Sequence, residues 1–238
     1  MTTINLLYQR EYAINDAIKI VIPTVGEILD NEDNYYSMVS ILTAMPIDMM
    51  VQLDDAGIDF SEITDYDLFL LLFPAMKQQD TKLVFGDLDL SKFEMAENKE
   101  NGMIVLVDME NDIVIDRAIH DKIAVTLRKI HHLEKDMHTP GNEEAKKYML
   151  ERARVKLRRN KNRKELSQIE TLIIAMVNTE QYKYDFEGTR ELSIYQFNEC
   201  VRQIIKKVDY DNRMIGIYTG NINAKEMNQD DLNWLTHK

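Results

Sequence analysis

The chain has 238 residues, with 29 Lys and Arg against 41 Asp and Glu, for a formal net charge of -12. Hydrophobic residues at 45% supply a real core and exclude wholesale disorder, and only 8 Gly and 4 Pro exclude a collagen-like, linker-like or turn-rich all-β chain. The single Cys200 excludes an intrachain disulfide framework and a Cys-based zinc site.

The first ten residues have neither a basic start nor a long apolar stretch, so they do not read as a signal peptide. Apolar runs at 67–73 and 103–107 fall far short of the roughly 18–20 residues a membrane span needs. Together with one Cys, this predicts a soluble, intracellular chain with no membrane partner. Residues 18–22 read as a strand stopped by Pro23. From Tyr36 to Leu53 the apolar residues Met38, Ile41, Leu42, Met45, Met49 and Leu53 recur at three- and four-residue steps, which predicts helix. Pro46 divides that helix and Gly57 caps its second piece. Thr64, with Asp67 three residues on, opens a further helix to about Lys77.

Residues 82–116 change character. Val84, Phe85, Phe93, Ile104, Val105, Val107, Ile113, Val114 and Ile115 are β-formers separated by polar turns, Asn101-Gly102 being a strong hairpin signal and 109–112 a second turn. Asp116 then caps a helix with the stripe Ile119, Ile123, Leu127 and Ile130, broken at Thr139-Pro140-Gly141-Asn142. A basic helix follows with a narrow seam of Ala145, Met149, Ala153 and Leu157. Leu166, Ile169, Leu172, Ile173, Met176 and Val177 predict a core helix. Ser193 caps another, carrying Ile194, Phe197, Val201, Ile204, Ile205 and Val208. The expected fold is α+β, mainly helical, with a small antiparallel β-sheet or hairpin insertion. Its regions are an acidic helical 1–80, a β region 81–116 and a helical 117–238, which could form one continuous domain.

Charge is unevenly placed. Residues 1–100 hold 6 basic and 19 acidic residues, whereas 146–164 carry ten basic residues and one acid, Glu151. Arg152, Arg154, Arg158, Arg159, Lys161, Arg163 and Lys164 suit either nucleic-acid phosphate or acidic protein. Few aromatics interleave them, so base stacking is not indicated. The acidic N-terminal region makes a protein contact, within or between chains, the favoured reading.

Catalytic constellations are weak. His120-Asp121 matches half of a metal-binding pair of the HD phosphohydrolase kind, but no His precedes it. His131, His132 and His138 sit at a helix end, where a partly positive ring suits the C-terminal dipole. Asp87, Asp89, Asp108, Asp112 and Asp116 would suit a Mg²⁺ nuclease cluster, yet Asp in hairpins usually serves turns and caps. A Gly-rich phosphate loop and a nucleophile elbow are both missing from the sequence. No metal, cofactor or catalytic residue is assigned.

Two groups of segments carry a family resemblance. The first is Ile22-Pro23-Thr24-Val25-Gly26-Glu27-Ile28, Tyr35-Tyr36-Ser37-Met38-Val39, and Gly57-Ile58-Asp59-Phe60 through Asp67-Leu68-Phe69. The second is Leu127-Arg128-Lys129-Ile130-His131, Ala175-Met176-Val177-Asn178 and Gly216-Ile217-Tyr218-Thr219-Gly220-Asn221-Ile222 with Leu232-Asn233-Trp234. Over most of its length the chain resembles proteins encoded among the tail genes of tailed phages and prophages of low-GC Gram-positive bacteria. The resemblance implies a non-enzymatic role in tail morphogenesis. That role is an assembly chaperone for a tail or tape-measure partner in the host cytoplasm, or a structural component of the virion tail, baseplate or neck. A nucleic-acid-binding or nuclease-like protein is the third reading. The 14 Met offer adaptable apolar surface for a partner helix. Candidate partner-binding residues are Arg152, Arg158, Arg159, Lys161, Arg163, Leu232 and Trp234, the last two as a C-terminal hook, with self-association a further option.

Overall fold

Alternation in Ile18, Ile20 and Ile22 buries one face of a strand. In the computed structural model, which describes residues 5–99, 102–160, 167–228 and 232–235, that strand is β2 (Lys19–Val21). It pairs antiparallel with β1 (Glu11–Ala13), Tyr12 lying opposite Ile20. Pro23 ends it, and Thr24 opens α1 (Val25–Leu29). The Thr24 hydroxyl accepts from the Glu27 N–H at 3.1 Å, while the Glu27 carboxylate accepts from the Thr24 N–H at 2.7 Å.

The periodic stretch at 36–53 becomes α2 (Glu32–Thr43) and α3 (Met50–Asp55), separated by a turn that begins at Pro46. Gly57, at φ 74°, takes the left-handed conformation just past α3. The Thr64–Asp67 capping box opens α4 (Asp65–Met76), which ends at Lys77 as expected.

Val84 and Phe85 correct the sequence reading. They are buried in a single helical turn, α5 (Lys82–Phe85), not in a strand. Their β propensity reflects a preference for burial, which a helical turn packed on β2 satisfies equally. The sheet starts later, with β3 (Glu94–Glu97), β4 (Ile104–Asp108) and β5 (Ile113–Ile115) in that spatial order, all antiparallel. Asn101 lies outside the described residues. Gly102 has φ 68°, and Asp112, at φ 54°, supplies the left-handed residue of the second turn.

Asp116 accepts from the Ile119 N–H at 2.8 Å and starts α6 (Arg117–His131), whose Ile123, Leu127 and Ile130 are buried. After the break come α7 (Glu143–Asn160), α8 (Gln168–Val177), α9 (Phe186–Glu191) and α10 (Ile194–Tyr218). Leu166 lies outside the described residues, while Ile169, Ile173 and Met176 of α8 are buried as predicted. The mainly helical α+β class is therefore the observed one. The short helices α1 and α9 escape a periodicity argument because five or six residues do not complete two turns.

One apolar core takes side chains from near both ends of the chain, including Leu6, Ile20, Phe69, Phe93, Leu127 and Phe197. The two ends are also joined through backbone. The Val25 N–H donates to the Leu192 carbonyl at 2.9 Å, and the Ile194 N–H to the Pro23 carbonyl at 2.8 Å.

Helix α10 departs from the predicted core stripe. Ile194 and Phe197 are buried and Val201 and Ile204 half-buried, but Ile205 and Val208 are exposed. Its first turns dock on α6, with the Asn198 amide donating to the Ile130 carbonyl at 3.0 Å. Beyond them Ile205, Val208, Asn212 and Ile215 are exposed among the described residues.

Candidate interaction site

The break at 139–142 and the cap at its end place the basic helix. The Asn142 side-chain oxygen accepts from the Ala145 N–H at 2.8 Å, starting α7. Ala145, Met149 and Ala153 of the predicted seam are half-buried and Leu157 is exposed, so the helix rests on the body by a shallow stripe. Leu150 packs on a small cluster of Leu53, Phe60 and Leu68.

Electrostatics fix the register of α7. The Arg154 guanidinium donates to Asp54 and Asp55 on α3, each at 2.6 Å. Lys146 donates to the Asp59 carboxylate and stands 5.7 Å from the centre of the Phe60 ring. The Lys146 hydrogen bond, reinforced by Ser61, holds the Asp59 carboxyl down at about 2. Asp59 in turn raises Lys146, and Asp55 and Asp54 raise Arg154. The inner cations of the basic helix are thus matched by acids of the N-terminal region.

The outer cations are not so matched. Arg152 lies 5.7 Å from the centre of the exposed Tyr148 ring, and Arg158 and Arg159 are exposed without an ion pair among the described residues. A shallow groove of about 670 Å³ runs along this face past Met50, Tyr148, Val155 and Arg159. Lys161, Arg163 and Lys164 lie outside the described residues.

A second concavity of about 700 Å³ opens on the other side, between residues 45–65 and the connector 135–146. Met45, Pro46, Phe60, Ile63, Met137 and Pro140 give it apolar surface, and Asp136, His138, Glu143 and Lys146 line it beside them. At its base Asp65 pairs with Lys135 at 2.7 Å and with Arg128 at 3.8 Å. Arg128 also donates to the Thr43 carbonyl at 2.7 Å, anchoring the base to α2. Met137 stands at the mouth, 74% exposed. No sequence signal marked this cleft, because its walls come from segments almost a hundred residues apart.

Leu232 and Trp234 are half-buried, and Trp234 rests on α10. The Trp234 ring lies 5.6 Å from the Lys207 ammonium, and the Trp234 carbonyl accepts from the Gln203 amide at 3.0 Å.

The weighed catalytic groups have structural surroundings. His120 is buried and stacked on Phe69 with ring centres 4.4 Å apart, and burial pushes it down to about 4. His131 shares a hydrogen bond of 2.9 Å with the Tyr35 hydroxyl and is pushed down to about 4 by burial. Asp89, Asp108 and Asp116 each accept from backbone N–H groups in turns or caps. Among the described residues no group of three or more His, Cys, Asp or Glu is placed to hold a metal ion. No helix among them is long and apolar enough to cross a membrane.

Residues 160–238 match the family described as the YomV second domain, YomV being a protein of a Bacillus phage or prophage region. The match takes in α8, α9 and α10, the last third of the chain, and points to a phage-associated origin. No curated protein and no solved structure matches.

Proposed function

We propose that this chain is a non-enzymatic protein-binding factor of phage tail morphogenesis, acting as an assembly chaperone for a tail or tape-measure partner in the host cytoplasm. The observation that carries the reading is the division of labour on α7. Lys146 and Arg154 are spent on the chain's own acids, while Arg152 and Arg159 stay open beside Tyr148 and a groove with apolar walls, and Arg158 is exposed next to them. A basic face mixed with an aromatic and aliphatic side chains suits an acidic amphipathic helix. The match of residues 160–238 to a phage-linked domain supports the setting.

Mass spectrometry of purified virions beside lysate of phage-producing cells tests this. Abundance in lysate with absence from particles, and a co-purifying tail protein, is the expected result. A fixed copy number in the particle would instead make the chain a tail, baseplate or neck component. Charge reversal at Arg152 and Arg159 should abolish partner capture without changing the circular dichroism. Salt-dependent DNA binding lost on substitution of Arg158 and Arg159 would replace the protein-binding reading with the nucleic-acid one.

A further inference from the structure

Helix α10 bears a stripe whose spacing is that of a coiled coil. Val201, Ile205, Val208, Asn212, Ile215 and Thr219 succeed one another at alternating steps of four and three residues, the pattern that keeps one face of a helix against a partner helix. Ile205 and Ile215 are 63% and 60% exposed, and Val208 and Asn212 are exposed with them. Large aliphatic groups in such a row are rarely left to water without purpose.

Parts of the remaining helix surface are covered by the chain itself. The first turns dock on α6. Farther on, Ile222 folds over Gly216 so closely that a Cβ there would meet its Cδ1 at 2.5 Å. Trp234 and its carbonyl hold Lys207 and Gln203. Lys207 and Gln203 point away from the Ile205 stripe, four residues apart on another face. Among the described residues the C-terminal segment thus covers the Gln203–Lys207 face and, through Ile222, the Gly216 end of the stripe, and leaves Ile205, Val208, Asn212 and Ile215 exposed.

Two observations identify what covers it. Asn212 stands in the middle of the seam with an amide that both donates and accepts. An apolar partner surface would strand those groups, whereas the same amide on a parallel copy satisfies them. The charges beside the seam are also neutralised within the helix, Lys207 pairing with Asp211 and Arg213 with Asp209, each at 2.5 Å. Two identical faces can then approach without like-charge repulsion, and no surplus charge is left to recruit an oppositely charged partner.

We propose that two copies of this chain associate through α10, side by side and parallel, in register on Asn212, burying Ile205, Val208 and Ile215 between them. Such an isologous contact satisfies closed two-fold symmetry. It is independent of the tail-assembly reading and uses none of the α7 residues on which that reading rests.

Sedimentation velocity of the full chain over a wide concentration range tests it. The mass should rise from 27.9 kDa toward twice that value. The double variant Ile205→Glu with Ile215→Glu replaces exposed residues, so its circular dichroism should match the parent while it stays monomeric at every concentration. Register is tested separately by Asn212→Cys in a Cys200→Ser background. Oxidised glutathione should convert two thiols into one intermolecular disulfide, with glutathione reduced in exchange. A parent chain that remains monomeric, a dimer that survives the double substitution, or an Asn212→Cys protein that fails to cross-link would each overturn the proposal.

Discussion

Acidification below pH 6.5 should cost this protein stability well before its carboxylates titrate, with His120 carrying much of the loss. The ring is buried among Phe69, Tyr66 and the body of α6, and both nitrogens lack hydrogen-bond partners among the described residues. Burial is the main cause of its fall to about 4. Asp121 and Asp65 oppose that fall weakly, while Arg128 and Lys135 add to it. The folded state therefore favours the neutral ring, and the unfolded chain takes up the proton first, at its ordinary value of about 6.5. Stability is fully present above pH 6.5 and declines as pH falls toward 4. That fall corresponds to no more than about 3–4 kcal/mol, a large share of a typical stability of about 5–15 kcal/mol. His131, lowered by the same cause, adds a second decline in the same window. Urea unfolding at a series of pH values between 7.5 and 4.5 measures the slope. His120→Leu, close in volume, should keep stability near neutral pH within about 1 kcal/mol and remove about half of the decline. An unchanged slope in that variant would refute the assignment of the acid sensitivity to His120.

Other consequences can be measured directly. Lys146→Met should let the Asp59 carboxyl rise from about 2 toward its ordinary 3.8, read as the midpoint of its side-chain carbon shift by NMR. Arg154→Ala removes partly exposed ion pairs and should lower the denaturant midpoint only slightly, a loss that added salt erases. Thr64→Ala deletes the hydroxyl that caps α4 and should lower stability by about 1 kcal/mol in denaturant titration. Phe197→Ala empties a fully buried site and should cost about 3–5 kcal/mol.

Capping chemistry was legible in the sequence because it is local. Thr64 with Asp67, Asp116 and Ser193 each announced a helix that the structure contains. Burial on long helices was less so. The stripe from Ile194 to Val208 reads as continuous core, yet only its first turns meet the body, because periodicity records an apolar face and not what lies opposite it. Val84 and Phe85 failed for a related reason, as side-chain preference for burial does not choose between a strand and one helical turn. At the site, the excess of acid in 1–100 and of base in 146–164 foreshadowed the contact of α7 with the N-terminal region. The pairings of Arg154 with Asp54 and Asp55, and of Lys146 with Asp59, needed the fold. So did the cleft at Met137, which no single segment encodes.

The backbone tie between Pro23–Val25 and Leu192–Ile194 sets an order of events during synthesis. The bonds of Pro23 and Val25 to Ile194 and Leu192 cannot form, nor can Phe197 fill the core, until nearly two hundred residues have been translated. At about 5–20 residues per second that is a delay of about 10–40 s. Through that interval the excess of acids over bases in the first hundred residues, 19 to 6, disfavours contact between nascent copies by like-charge repulsion. The acidity of the N-terminal region thus protects an unfinished chain as well as seating a basic helix in the finished one.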